Sequence, residues 1–325
     1  MRFIAIVAAL HFATALAAEP AGKPPVPSTA KPAVPTTAKP PVPATAKPPV
    51  PITAKPPVPS GVDPGGILIT LVGPGVDYTD PKIAARLARD GEGELIGWDL
   101  VDNDRRPYSG TDPLHRSVTP QAPGIIADST ASARLAVFRA KSNDPTSLAL
   151  TVAMAASRPP PILIISTDGP NPSPDLLAAI SQRLPDSLVL ATHNNEASST
   201  EKPQATVPLP NVVVIASFDK DRQAKTFDAK SNAPELAMDV SRWAQKLAGE
   251  RLDTTYIGLP SDAAVAQIAA LAARILAAEP ALKGPELKTR ILSITEPLPE
   301  GYGYVATHGW IPDPMKHYPL SAVKP

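Results

Sequence analysis

Cysteine is absent from the 325-residue chain. That excludes a disulfide framework, a thiolate nucleophile and any cysteine-ligated zinc or iron–sulfur centre. Net charge is absent as well, with lysine plus arginine balancing aspartate plus glutamate at 31 each. Nothing in that balance supplies the basic field through which proteins meet nucleic acid, so no nucleic-acid partner is expected. Histidine is scarce: beyond the first residues only His115, His193, His308 and His317 remain, and none has the close His/Asp/Glu spacing of a metal site. No metal and no cofactor is expected. A wholly disordered or collagen-like chain is also excluded, because 43% of the residues are hydrophobic and only 19% are charged, enough for a core of one or two domains.

What the chain has in excess is proline, with 43 residues, and the excess is local. Met1 and Arg2 precede an apolar stretch that opens at Phe3, and Ala15-Leu16-Ala17 offers small side chains at both positions a signal peptidase inspects. Residues 1–17 therefore read as a signal peptide cut after Ala17. As a retained anchor the stretch falls short of the roughly 20 apolar residues that span a bilayer, and His11 interrupts it. From Lys23 the sequence repeats every eight residues as Lys-Pro-Pro-Val-Pro-Ser-Thr-Ala, restarting at Lys31, Lys39, Lys47 and Lys55. Proline fixes φ and removes donors, so residues 18–65 are expected to be a disordered or polyproline II linker. At about 3.1 Å per residue such a tether reaches on the order of 140 Å, which suits a stalk crossing an envelope layer, a ligand for a proline-binding module or an inert linker. Residues 1–65 hold six basic and two acidic side chains, so the neutral total conceals a basic tether on a mildly acidic domain.

From residue 66 onward, short apolar runs alternate with helical spacing. Strands are expected at 67–72, 135–138, 162–165, 188–191 and 212–215. Helices are expected at 81–90, 146–157, 174–184, 262–278 and 286–292. Alternation of this kind implies an α/β fold with a mostly parallel sheet and helices on both faces. Two familiar motifs fail. Gly73-Pro74-Gly75 follows a strand, but the third glycine of a dinucleotide loop would fall on Tyr78. Asp99, Asp102 and Asp104 match a calcium loop in composition only, without its glycine and distal glutamate.

Taken in order, several segments resemble those of the subtilisin-like serine peptidases, the subtilases. Ile69-Thr70-Leu71-Val72-Gly73-Pro74-Gly75-Val76-Asp77-Tyr78-Thr79-Asp80-Pro81 is similar to the motif V-I-D-T-G-V-D-Y-T-H-P, and Ile96-Gly97-Trp98-Asp99 to the stretch that follows it. Gly124-Ile125-Ile126-Ala127 and Ala133-Arg134-Leu135-Ala136-Val137-Phe138-Arg139 resemble the end of the histidine helix and the next strand. Asn211-Val212-Val213-Val214-Ile215-Ala216-Ser217 is similar to the strand after the oxyanion asparagine, and residues 263–280 to the helix behind the nucleophile. Gly301-Tyr302-Gly303-Tyr304-Val305 resembles the closing segment. The resemblance implies a subtilisin-like three-layer domain at 66–311, followed by a tail at 312–325.

It also implies where a triad would sit, in the chain order Asp, His, Ser. The hydroxyl attacks, the imidazole takes and returns its proton, and the carboxylate fixes the imidazole's tautomer. The aspartate position falls on Gly73, the histidine position on Val118 and the nucleophile position on Asp262. None of the three matches the family. Pro120 and Pro123 stand where the histidine helix should run, and internal prolines cost a helix about 3 kcal/mol each. The nearest replacements are Asp77, His115 and Ser261. Ser261 lies one residue, about 100° of helix, from the nucleophile position. Asn194 aligns with the oxyanion asparagine, and 164–169 with the edge segment that pairs with substrate backbone.

Two functions are therefore expected to compete. One is an exported pseudopeptidase that binds an extended peptide or a protein partner at the cell envelope, periplasm or exterior. The other is an active serine endopeptidase with a triad rearranged from Asp77, His115 and Ser261. In subtilisin, loss of the serine or histidine lowers turnover about 2 × 10⁶-fold, so the first reading is favoured.

Overall fold

In the computed structural model the described residues are 55–109, 126–127, 133–141, 144–166, 171–193, 208–218, 234–241, 261–300 and 306–318. All belong to the compact unit Thr53–Pro325. The expected leader at 1–17, Val118, His115, Asn194 and the segment 301–305 lie outside the described residues.

Seven strands form one sheet: β1 (Ile67–Gly73), β2 (Gly97–Asp99), β3 (Ala133–Arg139), β4 (Ile162–Ile165), β5 (Leu188–Thr192), β6 (Val212–Phe218) and β7 (Leu236–Asp239). Their order is β2-β3-β1-β4-β5-β6-β7, and every neighbouring pair is parallel. Central strands of a parallel sheet are covered on both faces, which is why β4 reads Ile-Leu-Ile-Ile and is buried at every position.

Five helices are described: α1 (Pro81–Ala84), α2 (Pro145–Ala155), α3 (Pro174–Arg183), α4 (Ser261–Ala278) and α5 (Gly284–Leu292). Proline at the first helical position and an N-cap start three of them. Asp80, Asp144 and Ser173 accept from the backbone N–H of Lys82, Thr146 and Leu176. Leu148 and Val152 of α2 and Leu177 and Ile180 of α3 pack on one face of the sheet with Leu163, Ile165, Val189 and Ala191. α4 and Leu287 and Ile291 of α5 pack on the other, against Ile162, Ile164, Leu188, Leu190, Val213 and Ile215. Three layers result. α4 is the central element: Ala263 through Leu276 is almost wholly buried, so apart from Gln267 and Arg274 its sequence is apolar instead of striped. α5 is tied down by Lys288, whose ammonium donates to Glu235 Oε1 at 2.8 Å and to the carbonyls of Leu209 and Val212 at 2.7 Å.

Two expectations change. The helix expected over 81–90 stops at Ala84, because Ala88 N–H donates to the Leu135 carbonyl and Leu135 N–H to the Arg86 carbonyl, which draws this stretch onto β3. Of the segment 164–169, expected to be an edge for substrate, residues 164–166 are central and 167–169 lie outside the described residues. β4 pairs with β1 on one side and β5 on the other, and Ser166 N–H already donates to the Val72 carbonyl at 2.9 Å. The last stretch of the expected linker, 55–63, makes side-chain contacts with the body, taken up below.

Candidate functional site

Parallel sheets place their sites beyond the carboxyl ends of the strands. On the α4 face the last core positions include Leu71, Val137, Ile164, Leu190, Ile215 and Met238. Two residues further, on the same side of each strand by the pleat, come Gly73, Arg139, Ser166, Thr192, Ser217 and Val240. Apart from Val240 these residues are small or polar, and α4 begins above them, with Asp262 in its first turn.

Asp262 is 6% exposed and accepts a hydrogen bond from Ser166 Oγ. A carboxyl group at the start of a long buried helix complements the positive end of the helix dipole, so the site suits aspartate. Gly73 lies beside the same serine. A side chain here would place its Cβ 2.8 Å from the Ser166 carbonyl oxygen and 3.3 Å from Ser166 Cβ. Thus Gly73 and Asp262, to which the resemblance assigns two triad positions, both lie beside Ser166.

His193 belongs to the opposite face. It follows Val189 and Ala191, which pack with α2 and α3, so the pleat directs its ring away from Asp262. The ring is 7% exposed, and its Nδ1 lies 3.4 Å from Asn171 Nδ2. Burial lowers the pKa of His193 from 6.5 to about 4, so the ring is neutral at neutral pH. Neither His193, His308 nor His317 hydrogen-bonds to a serine hydroxyl among the described residues. Nor does any group of three or more His, Asp or Glu side chains among them converge as a metal site.

Of the fallback residues, Asp77 caps its own turn, with Oδ1 accepting from the backbone N–H of Thr79 at 3.0 Å and from the Thr79 hydroxyl. Ser261 opens α4, one position before Asp262. The partnership of Ser166 with Asp262 was not among the sequence expectations. The signal that could have found it is the alternation of β4, which continues Ile162 and Ile164 to Ser166 on the face that α4 covers.

Chemically, among the described residues the cluster holds a hydroxyl against a carboxyl group. A serine becomes a nucleophile when an oriented base takes its proton, and here that proton is directed at Asp262 Oδ1.

The architecture is similar to that of a solved lanthipeptide protease, with a TM-score of 0.53 and 14% identity over 77% of this chain and 86% of that one. It is also similar to a cold-adapted subtilisin-like serine proteinase, with a TM-score of 0.52 and 14% identity over 78% of this chain and 91% of that one. The protein thus has an α/β fold of the parallel, three-layer class. More particularly, it is the subtilisin-like fold. No protein-family model and no curated protein sequence matches the chain.

Proposed function

We propose that the protein is an exported subtilisin-fold module that holds an extended peptide or protein partner without hydrolysing it. The observation that carries this reading is the Gly73–Ser166–Asp262 cluster. The aspartate position has no room for a side chain, and the nucleophile position carries a carboxyl group already engaged by Ser166. Binding without cutting remains open to such a domain, because holding a chain does not require an activated hydroxyl. The signal-peptide reading of residues 1–17 and the proline-rich tether support export and a place at the cell envelope, periplasm or exterior. Among the described residues no helix is long and apolar enough to cross a membrane.

The test is hydrolysis of fluorescent, unfolded casein by the purified full-length protein beside Ser166→Ala and Ser261→Ala. All three are expected to release fluorescence at the rate of the buffer blank. Turnover by the wild type that either substitution abolishes would return the protein to the active peptidases, with that serine as nucleophile.

A further inference from the structure

The fifth octapeptide, which begins at Lys55, is seated on the domain through a set of side chains that reads it position by position. Lys55 Nζ lies 2.6 Å from Asp99 Oδ2, 2.8 Å from Asp102 Oδ2 and 3.2 Å from Asp104 Oδ1, and donates to the Arg106 carbonyl at 3.0 Å. The aspartate-rich loop that fails as a calcium site therefore holds an ammonium group. Arg139 braces it from behind, 2.9 Å from Asp99 and 2.8 Å from Asp102. Desolvation pulls the Lys55 pKa down, but the hydrogen bonds to Asp102, Asp99 and Asp104 outweigh it and the net direction is upward. The fully buried Tyr78 donates its hydroxyl to the Pro56 carbonyl at 2.8 Å. Val58 packs against the main core, and Arg89 Nη2 donates to the Pro59 carbonyl. Asp63 closes the segment, pairing with Arg134 and accepting from the Arg89 backbone N–H at 3.1 Å.

Every feature read between positions 55 and 59 recurs upstream. Lys-Pro-Pro-Val-Pro stands at Lys23, Lys39 and Lys47, and Lys-Pro-Ala-Val-Pro at Lys31. The chemistry suits the sequence. Proline offers a carbonyl and no N–H, so the domain supplies donors, Tyr78 and Arg89, at two proline carbonyls. Only Asp63 has no counterpart in the other four copies.

We propose that this surface recognises the Lys-Pro-Pro-Val-Pro motif as such, and that another copy of this chain's repeat, the one beginning at Lys47, fills it when the copy at Lys55 is displaced or altered. With Asp63 still anchored, the exchange requires one intervening loop of about a dozen residues. Closure entropy grows slowly with loop length, each doubling costing only about 0.6 kcal/mol. Each step of one repeat shifts the tether by eight residues, on the order of 25 Å at about 3.1 Å per residue. The surface uses none of Gly73, Ser166 or Asp262, so the proposal stands apart from the question of cutting.

The test compares three variants of the full chain by thermal unfolding near neutral pH: Lys55→Ala, the fourfold change of Lys23, Lys31, Lys39 and Lys47 to Ala, and all five together. The fivefold variant is expected to lose about 4 °C or more in Tm. Either of the other two should lose less than a third of that. A peptide of sequence Lys-Pro-Pro-Val-Pro-Ala, blocked at both ends, should bind the fivefold variant saturably and raise its Tm, and its Ala-Pro-Pro-Val-Pro-Ala counterpart should not. A Lys55→Ala loss as large as the fivefold loss, an unchanged Tm in the fivefold variant, or absence of selective peptide binding would each overturn the proposal.

Discussion

Replacing Gly73 with aspartate, the residue that the subtilase resemblance puts there, is expected to destabilise the domain by about 3 kcal/mol and to leave casein uncut. The Cβ would arrive 2.8 Å from the Ser166 carbonyl oxygen, a separation real Cβ atoms essentially never show. The obstructing atom is backbone in a central strand, so it cannot swing aside as a flexible side chain would. Overpacking of this kind costs about 1–3 kcal/mol, and a second carboxyl group brought toward buried Asp262 adds to it. Gly73→Ala separates the two contributions, since it adds the Cβ without the charge. Denaturant unfolding near pH 7 measures both variants. A Gly73→Asp protein of wild-type stability, or one that gains proteolysis, would show that the aspartate position is still usable.

Acidification from pH 6.5 to about 4 is expected to remove about 3 kcal/mol of stability through His193 alone. In the unfolded chain this imidazole has its ordinary pKa of 6.5, whereas burial in the folded protein lowers it to about 4. Between those values the unfolded state binds more protons, so stability falls with pH and levels off below about 4. At about 1.4 kcal/mol per pH unit the interval gives the stated loss. Carboxylates whose pKa is lowered in the folded state, Asp102 through its bond from Lys55, Asp104 and Glu279 through Tyr318, act in a lower window, around and below their ordinary values of 3.8 for the aspartates and 4.5 for the glutamate. The upper part of the window therefore reports His193. Unfolding at pH 7 and pH 5 for the wild type and His193→Gln measures it. The variant should lose most of the pH dependence, and an unchanged slope would contradict the assignment.

Much of the fold was legible in sequence because central parallel strands are apolar on both faces. β1, β4, β5 and β6 announce themselves as short runs of Ile, Leu and Val. β2 and β7 do not. Gly97-Trp98-Asp99 and Leu236-Ala237-Met238-Asp239 are too short and mixed to stand out, and their pairing is decided by neighbours distant in sequence. The early end of α1 has the same origin, since the pull of β3 on Arg86 and Ala88 is invisible locally. Counting along the motifs singled out Gly73 and Asp262, each of which lies beside Ser166. It could not place Ser166 against Asp262, because that contact joins residues 96 apart in sequence. The repeat was plain, yet the seating of its fifth copy was not. Proline-rich segments carry no periodicity that marks a buried side, and the aspartates that receive Lys55 suggest only themselves.

The central proposal is that no hydroxyl in this domain is activated. Incubation of the full-length protein with a fluorophosphonate probe, followed by intact mass measurement and peptide mapping, tests it most directly. The expected result is an unshifted mass after prolonged exposure to excess probe. Stoichiometric addition of one phosphonyl group at Ser166, Ser261 or any other serine, abolished by its substitution with alanine, would contradict it.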